Sequence, residues 1–354
     1  MASTFVFPSA YNGYIPAVSN QVIGYIKKQE EFKLNGYVQY VPSAKNTGLY
    51  AKLERDAFIR RTSDEENAWE DGAKRPDHAN KRVRYKMEEY RCFRRDYGWT
   101  LGQETLENSD MQLKPIHMDM AISECMTNRT IRVINMLETE ANWGTHYATA
   151  TELNDGAGGW RNASDDPNNP AYMAFAKSIL RAMRLINKAT NGRVGPKDLR
   201  MILSPEDAEV IGQTAEIVNF MRNSQYVKQQ QEDPYGAVNE MWGLPRIYKG
   251  LELIIEDAVY IDSFPTSAGD EVADSERLYV KSSGSAIICS RKGGIDGVYG
   301  SPSFSTMQVF HNGGLVQIEA FSDNKHKFVE GHVVESIAEK MTSEISGYLI
   351  TDTL

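Results

Sequence analysis

The chain has 354 residues, 41% hydrophobic and 25% charged, with 39 Lys and Arg against 48 Asp and Glu for a formal net charge of −9. That length holds two ordinary domains or one core with large extensions, and the composition is that of a soluble globular protein. No stretch approaches the roughly 18 uninterrupted apolar residues of a membrane span, and the acidic balance argues against general nucleic-acid binding, leaving room only for a local basic patch.

The first residues, "MASTFVFPSAYNGY", lack a basic region followed by an apolar run, so no signal peptide is expected. Cys92, Cys125 and Cys289 are widely spaced with no CxxC, which predicts reduced, buried thiols in a cytoplasmic folding environment. Residues 1–50 carry a short helical pattern, Val18, Val22 and Ile26, between extended stretches. Tyr11, Tyr14, Tyr25, Tyr37, Tyr40 and Tyr50 stud this segment. They either cover their own domain or dock on another molecule, since tyrosine is favoured in interface cores.

Residues 51–96 are dense in charge of both signs and offer little to bury beyond Phe58, Trp69 and "VRYKMEEYRCF". "WEDGAKRPDHANK" has turn-forming Asp-Gly and Arg-Pro steps, and the run after it alternates like a strand. The pattern predicts a long hairpin-like projection. A solvated charge run explains it blandly; charge complementarity with a neighbouring copy explains it functionally, through Arg60, Arg61, Lys74, Arg75, Lys81 and Arg82.

From Lys114 to Trp143, Met118, Ile122, Cys125, Met126, Val133, Met136 and Leu137 recur at near-helical intervals. This predicts a spine helix of about 40 Å, with Pro115 in its tolerant first turn. A Gly/Asn/Asp/Pro-rich connector, 154–170, leads to an amphipathic helix over Ala171–Asn191 closed by Asn191-Gly192. "LRMIL" then reads as a strand and Pro205 opens a second helix; the remainder is β-rich. The order of elements is α+β, not alternating βαβ.

Chemistry is sparse. Ser204 could be a nucleophile at a strand-to-helix turn, but it lacks the flanking glycines of G-x-S-x-G. Ser204 at the N-cap, Pro205 at N1 and Asp207 at N3 instead form a standard helix start. "GAGGW" lacks the Lys and Ser/Thr of a phosphate loop. The six histidines are scattered and no zinc or calcium spacing occurs. No catalytic residue, metal site or cofactor is expected.

Several segments, in order, resemble the major capsid proteins of tailed bacteriophages, the Hong Kong-97-type fold, and most of all its lambda-type branch. "VRYKMEEYRCFRRDYGWTLGQE" resembles the strand leaving the extended loop, "MAISECMTNRTIRVINMLETEANW" the spine helix, and "GGWRNASDDPNNPAYMAFAKSILRAM" the Trp–Asp–Pro entry to the second lobe. "GPKDLRMILSPEDAEVI" is similar to the family's strand-to-helix step, with Lys197-Asp198 in place of its usual Asn. "WGLPRIYKGLELIIEDAVYI" and "GYLITDTL" complete the series.

The resemblance implies an N-terminal arm (1–50), an extended loop (51–97), a P domain with the spine helix (98–143), an A domain (144–320) and a C-terminal return to the P domain (321–354). It implies hexamers and pentamers in an icosahedral head enclosing viral DNA, assembled in the host cytoplasm. Partners would be other copies, a separate scaffolding protein (no helical scaffolding segment precedes the arm), a portal and a decoration protein. Packaged double-stranded DNA would be held without sequence-specific binding. Inter-subunit contacts would fall on Tyr11, Tyr14, Tyr37, Tyr40, Phe58 and Trp69 besides the loop cations. No crosslinking lysine–asparagine pair is identifiable. A bacterial nanocompartment shell shares these features, and a cytoplasmic α+β hydrolase is the enzymatic alternative.

Overall fold

The computed structural model describes residues 32–53, 71–72, 86–108, 113–223, 238–239, 242–261, 277–293, 303–323 and 327–354. Its first half contains β1 (Gln39–Ser43), β2 (Thr47–Lys52), β3 (Lys86–Arg91), β4 (Phe93–Gly102), α1 (Leu113–Glu138) and β5 (Tyr147–Thr149). Then come α2 (Ala174–Ala189), β6 (Leu199–Leu203), α3 (Pro205–Gly212), α4 (Ala215–Asn223) and β7 (Leu251–Ile255). The last third is β8 (Ser285–Lys292), β9 (Met307–Asn312), β10 (Gln317–Asp323), β11 (Phe328–Met341) and β12 (Tyr348–Thr351).

Two sheets share α1. The first is centred on β11, which pairs antiparallel with β4, β10 and β9; β1 joins β9 in parallel. The second runs β5–β12–β8–β6–β7. Its strands are apolar on both sides because both faces are covered. Met201 and Leu203 of β6 pack with α2 and α3, whereas Ile202 packs against Val133, Ile134 and Leu137 of α1. Successive strand residues point to opposite faces, so "LRMIL" serves two layers at once. The N-terminal half of α1 lies elsewhere: Met118, Ile122, Cys125 and Met126 meet Val316 and Val333 of the first sheet's region.

Each buried Leu or Ile contributes roughly 1.5–3 kcal/mol, so these apolar layers outweigh exposed pairs such as Arg94–Glu319, worth about 0–1 kcal/mol.

Between the two halves of α1 lies a charged knot. Glu335 on β11 is fully buried and accepts from Arg129 Nε at 3.1 Å and Nη2 at 2.9 Å, and from Arg132 Nη2 at 2.5 Å. Arg132 Nε also donates to Glu339 at 2.7 Å, and Arg95 on β4 approaches both carboxylates at 3.7 and 3.9 Å. Arg129 Nη2 reaches the Leu315 carbonyl at 2.8 Å. Both glutamates face the helix from one strand, four residues apart.

Several expectations are corrected. The spine helix ends at Glu138, five residues before Trp143, and a 3-10 turn follows at Glu140–Asn142. The cause is side-chain capping: Trp143 Nε1 donates to the Leu137 carbonyl at 2.7 Å and Asn142 Nδ2 to that of Met136 at 2.8 Å. The helix expected over Ala171–Asn191 begins at Ala174, after Met173 in a left-handed conformation, with the Glu216 carboxylate accepting from the Phe175 and Ala176 N–H groups. Asn191 (φ 51°) and Gly192 (φ 75°) close it in the left-handed region, as expected of an Asn-Gly end.

β1 belongs to the first sheet, as do β9 and β10, whereas β12 pairs with β5 and β8 in the second. Tyr37, expected at an inter-subunit contact, is fully buried in its own chain. It closes the single helical turn Leu34–Tyr37, and its hydroxyl donates to Glu256 Oε2 at 2.7 Å. Tyr40 is half-buried against the same core, its hydroxyl inaccessible to solvent. The pattern around residues 17–31 lies outside the described residues.

Glu335→Ala leaves Arg129 buried without a counterion and is expected to cost about 3–5 kcal/mol in chemical denaturation, much of it recovered when Arg129→Met is added. Glu256 gives a pH signature. Burial raises its carboxyl from the ordinary 4.5 to about 7. Between those pH values the folded chain holds a proton the unfolded chain has released, so stability falls as pH rises toward 7. Glu256→Gln is expected to remove up to about 3 kcal/mol of that fall, read as the difference between the two proteins' unfolding curves from pH 5 to 8.

Candidate assembly surfaces

Ser204 carries the expected cap. Its Oγ accepts from the Asp207 N–H at 3.0 Å, and the residue is buried. Asp207 does more than sit at N3: its Oδ1 accepts from the Gly284 N–H at 3.0 Å and the Thr353 hydroxyl at 3.3 Å, binding the start of α3 to the end of β12. Burial raises the Asp207 carboxyl. The nucleophile reading of Ser204 fails here, since its hydroxyl is enclosed and engaged in the cap.

The thiols tell a similar story. Burial, with Glu335 beside it, pushes Cys125 up to about 12, and burial raises Cys92 and Cys289. A thiol held protonated is a poor nucleophile. The "GAGGW" loop packs on the chain's end: Trp160 N donates to the Thr353 carbonyl at 2.6 Å, and a Cβ on Gly159 would come within 2.9 Å of the Leu354 backbone. Among the described residues no group of three or more His, Cys, Asp or Glu could hold a metal ion, and no helix is long and apolar enough to cross a membrane.

The surface is more informative. β2 and β3 pair antiparallel from Thr47↔Arg91 to Lys52↔Lys86, forming the base of a hairpin whose remaining residues lie outside the described set. One face of this base is fastened to the body. Tyr90 stacks on Phe310 with ring centroids 4.1 Å apart, its hydroxyl 2.8 Å from Ser43 Oγ, and its ring fills the space over Gly48. Tyr50 packs on Phe310 too and donates to Glu88 at 2.7 Å. Period-two alternation then sends Leu49 and Met87 to the opposite face, where they are 59% and 54% exposed; nearby Phe93 is 55% exposed. An open groove of about 790 Å³ runs between hairpin and β11, lined by Leu49, Tyr90, Arg91, Phe93, Glu339 and Lys340 among others.

Tyr11, Tyr14, Phe58, Arg60, Arg61, Trp69, Lys74, Arg75, Lys81 and Arg82 lie outside the described residues. Leu49 and Met87 escaped the sequence reading because alternation tells which residues share a face, not which face the body covers.

No family model matches the chain, and no curated protein matches it in sequence. Solved structures do match in fold. A phage-related protein from Bordetella bronchiseptica RB50 superposes with a TM-score of 0.61 over 97% of this chain and 98% of its own, at 14% identity. The mature capsid of bacteriophage PhiM1 gives 0.50 over 99% and 90% at 10% identity, and the capsid of cyanophage P-SCSP1u gives 0.50 over 89% and 85% at 8%. The chain therefore has the α+β fold of phage capsid proteins, the Hong Kong-97-type fold.

Proposed function

We propose that the chain is the major capsid protein of a tailed bacteriophage, in the lambda-type branch, and that it builds an icosahedral head of hexamers and pentamers. One observation carries this reading: the fold is shared with a mature phage capsid over 99% of this chain and 90% of that one. The hairpin base supports it. A two-stranded element tied down by Tyr50 and Tyr90 on one side, and showing exposed Leu49 and Met87 beside Glu89 and Arg91 on the other, suits a segment that lies against a neighbouring copy. The arm and loop residues Tyr11, Tyr14, Phe58, Arg60, Arg61, Trp69, Lys74, Arg75, Lys81 and Arg82 are proposed contacts of the same kind. A separate scaffolding protein, a portal and a decoration protein complete the head, which encloses double-stranded DNA in the virion after assembly in the host cytoplasm.

Electron microscopy of the purified full chain is expected to show closed icosahedral particles. A small compact oligomer under all assembly conditions, with or without a co-expressed scaffold, overturns the reading. Replacing residues 54–85 by a short Gly/Ser turn preserves the β2–β3 pairing and is expected to leave a folded chain that no longer closes shells; normal particles from it refute the loop's role. Ser204→Ala is expected to lower stability by roughly 1 kcal/mol, as loss of a cap does. A hydrolytic activity that vanished with it would revive the enzyme reading.

A further inference from the structure

Two of the three helices over one face of the second sheet, α2 and α3, each carry charge of a single sign, whereas α4 carries Glu216 and Arg222. α2, "AFAKSILRAMRLINKA", has four cations and no acid: Lys177, Arg181, Arg184 and Lys188, at intervals of four, three and four that set them along one side. α3, "PEDAEVIG", has three acids and no cation; Asp207 turns inward, while Glu206 and Glu209 are exposed. Both helices cover the same sheet face through one core. Arg181 is engaged with Asp155 at 2.7 Å, and Lys177 lies 5.5 Å from the Tyr172 ring. Arg184, Lys188, Glu206 and Glu209 have no ionic or hydrogen-bonded partner among the described residues.

Like charges a turn apart on a helix repel. Solvation alone is served as well by mixed signs, which would support each helix instead. This leaves an exposed basic pair on α2 and an exposed acidic pair on α3, each without an ionic partner among the described residues. Two patches of opposite sign on one molecule make a head-to-tail contact, the kind that closes into rings. Spacings agree: Arg184 and Lys188 are about 6 Å apart along their axis, Glu206 and Glu209 about 4.5 Å. Leu180, 47% exposed, sits within the basic stripe and suits a protein surface better than a phosphate backbone. A net charge of −9 further disfavours nucleic acid as the occupant.

We infer that Arg184 and Lys188 of one copy pair with Glu206 and Glu209 of the next, forming an electrostatic contact within the ring. This rests on the shell reading above and names a contact within it. The test is a charge exchange in the full chain, read by sedimentation and electron microscopy at low and high salt, with circular dichroism confirming that each variant is folded. R184E/K188E and E206K/E209K are each expected to reduce the assembled fraction by at least about tenfold, and the fourfold exchange to restore it. Mixing the two double variants is also expected to restore six-membered rings, in which alternating copies meet with opposite charges, but not five-membered ones, where one like-charged contact always remains.

A wild-type chain that forms no particle fails the shell reading itself. If the wild type assembles and either double variant assembles equally well, the pairing is wrong. It is also wrong if assembly is lost and neither the fourfold exchange nor the mixture recovers it. Normal shells that have lost their enclosed nucleic acid would reassign the stripe to phosphate and overturn the inference.

Discussion

A carboxylate with no access to water must be paired or neutralised, and Glu335 lies at the centre of this molecule. Its charge is held by Arg129 and Arg132, one turn apart on α1, and by the more distant Arg95 on β4. The pairing fixes the rotation and axial position of a 26-residue helix against a 14-residue strand. Sliding the helix by one residue turns both guanidinium groups away and leaves the carboxylate alone. Apolar packing tolerates such slips far better, because Met, Ile and Val side chains fill space without demanding a particular partner.

The rest of the architecture follows from that register. With α1 pinned at its middle, its N-terminal half is presented to Val316 and Val333 and its C-terminal half to Ile202, Ile287 and Leu349. The second sheet then has one face closed by α1 and must close the other with α2 and α3. Glu216 locks that layer: it caps the first N–H groups of α2 and accepts from the Tyr248 hydroxyl at 2.6 Å, while Tyr248 stacks on Phe175. The hairpin, by contrast, meets the body through Tyr50, Tyr90 and Cys92 around Phe310, so it can be fastened at its base without sharing either large core.

What could be read from the amino acids follows from how far apart the interacting residues are. The start of α3 was legible because the cap, the proline and the acid lie within four positions of one another. The middle of α1 was legible from periodicity. Its end was not, because the groups that stop it, Asn142 and Trp143, act by folding their side chains back onto carbonyls six residues earlier. Tyr37 reads like the other tyrosines of its segment, and what holds it inside, the core around α1 and the Glu256 carboxylate 219 residues away, is distant in sequence. The pairing of β12 with β5 and β8 was not legible for the same reason: an apolar strand says it is buried, not which neighbour it pairs with. Glu335 and Arg129 are 206 positions apart and each looks like an ordinary surface charge in sequence.

Charge is therefore handled in two ways in one chain. Inside, two buried charges are matched at short range: Glu335 with two arginines, and Lys281, fully buried, with Glu138 at 2.7 Å and with Ser285. Those pairs serve register, since a well-packed apolar replacement would stabilise a single chain as well. On α2 and α3 the signs are separated, and Arg184, Lys188, Glu206 and Glu209 have no ionic partner among the described residues. The first-turn acids of α3 and the last-turn Lys188 of α2 complement their helix dipoles within the subunit, and the contact inferred between copies would give the same side chains a second partner, whereas the knot at Glu335 serves the subunit alone.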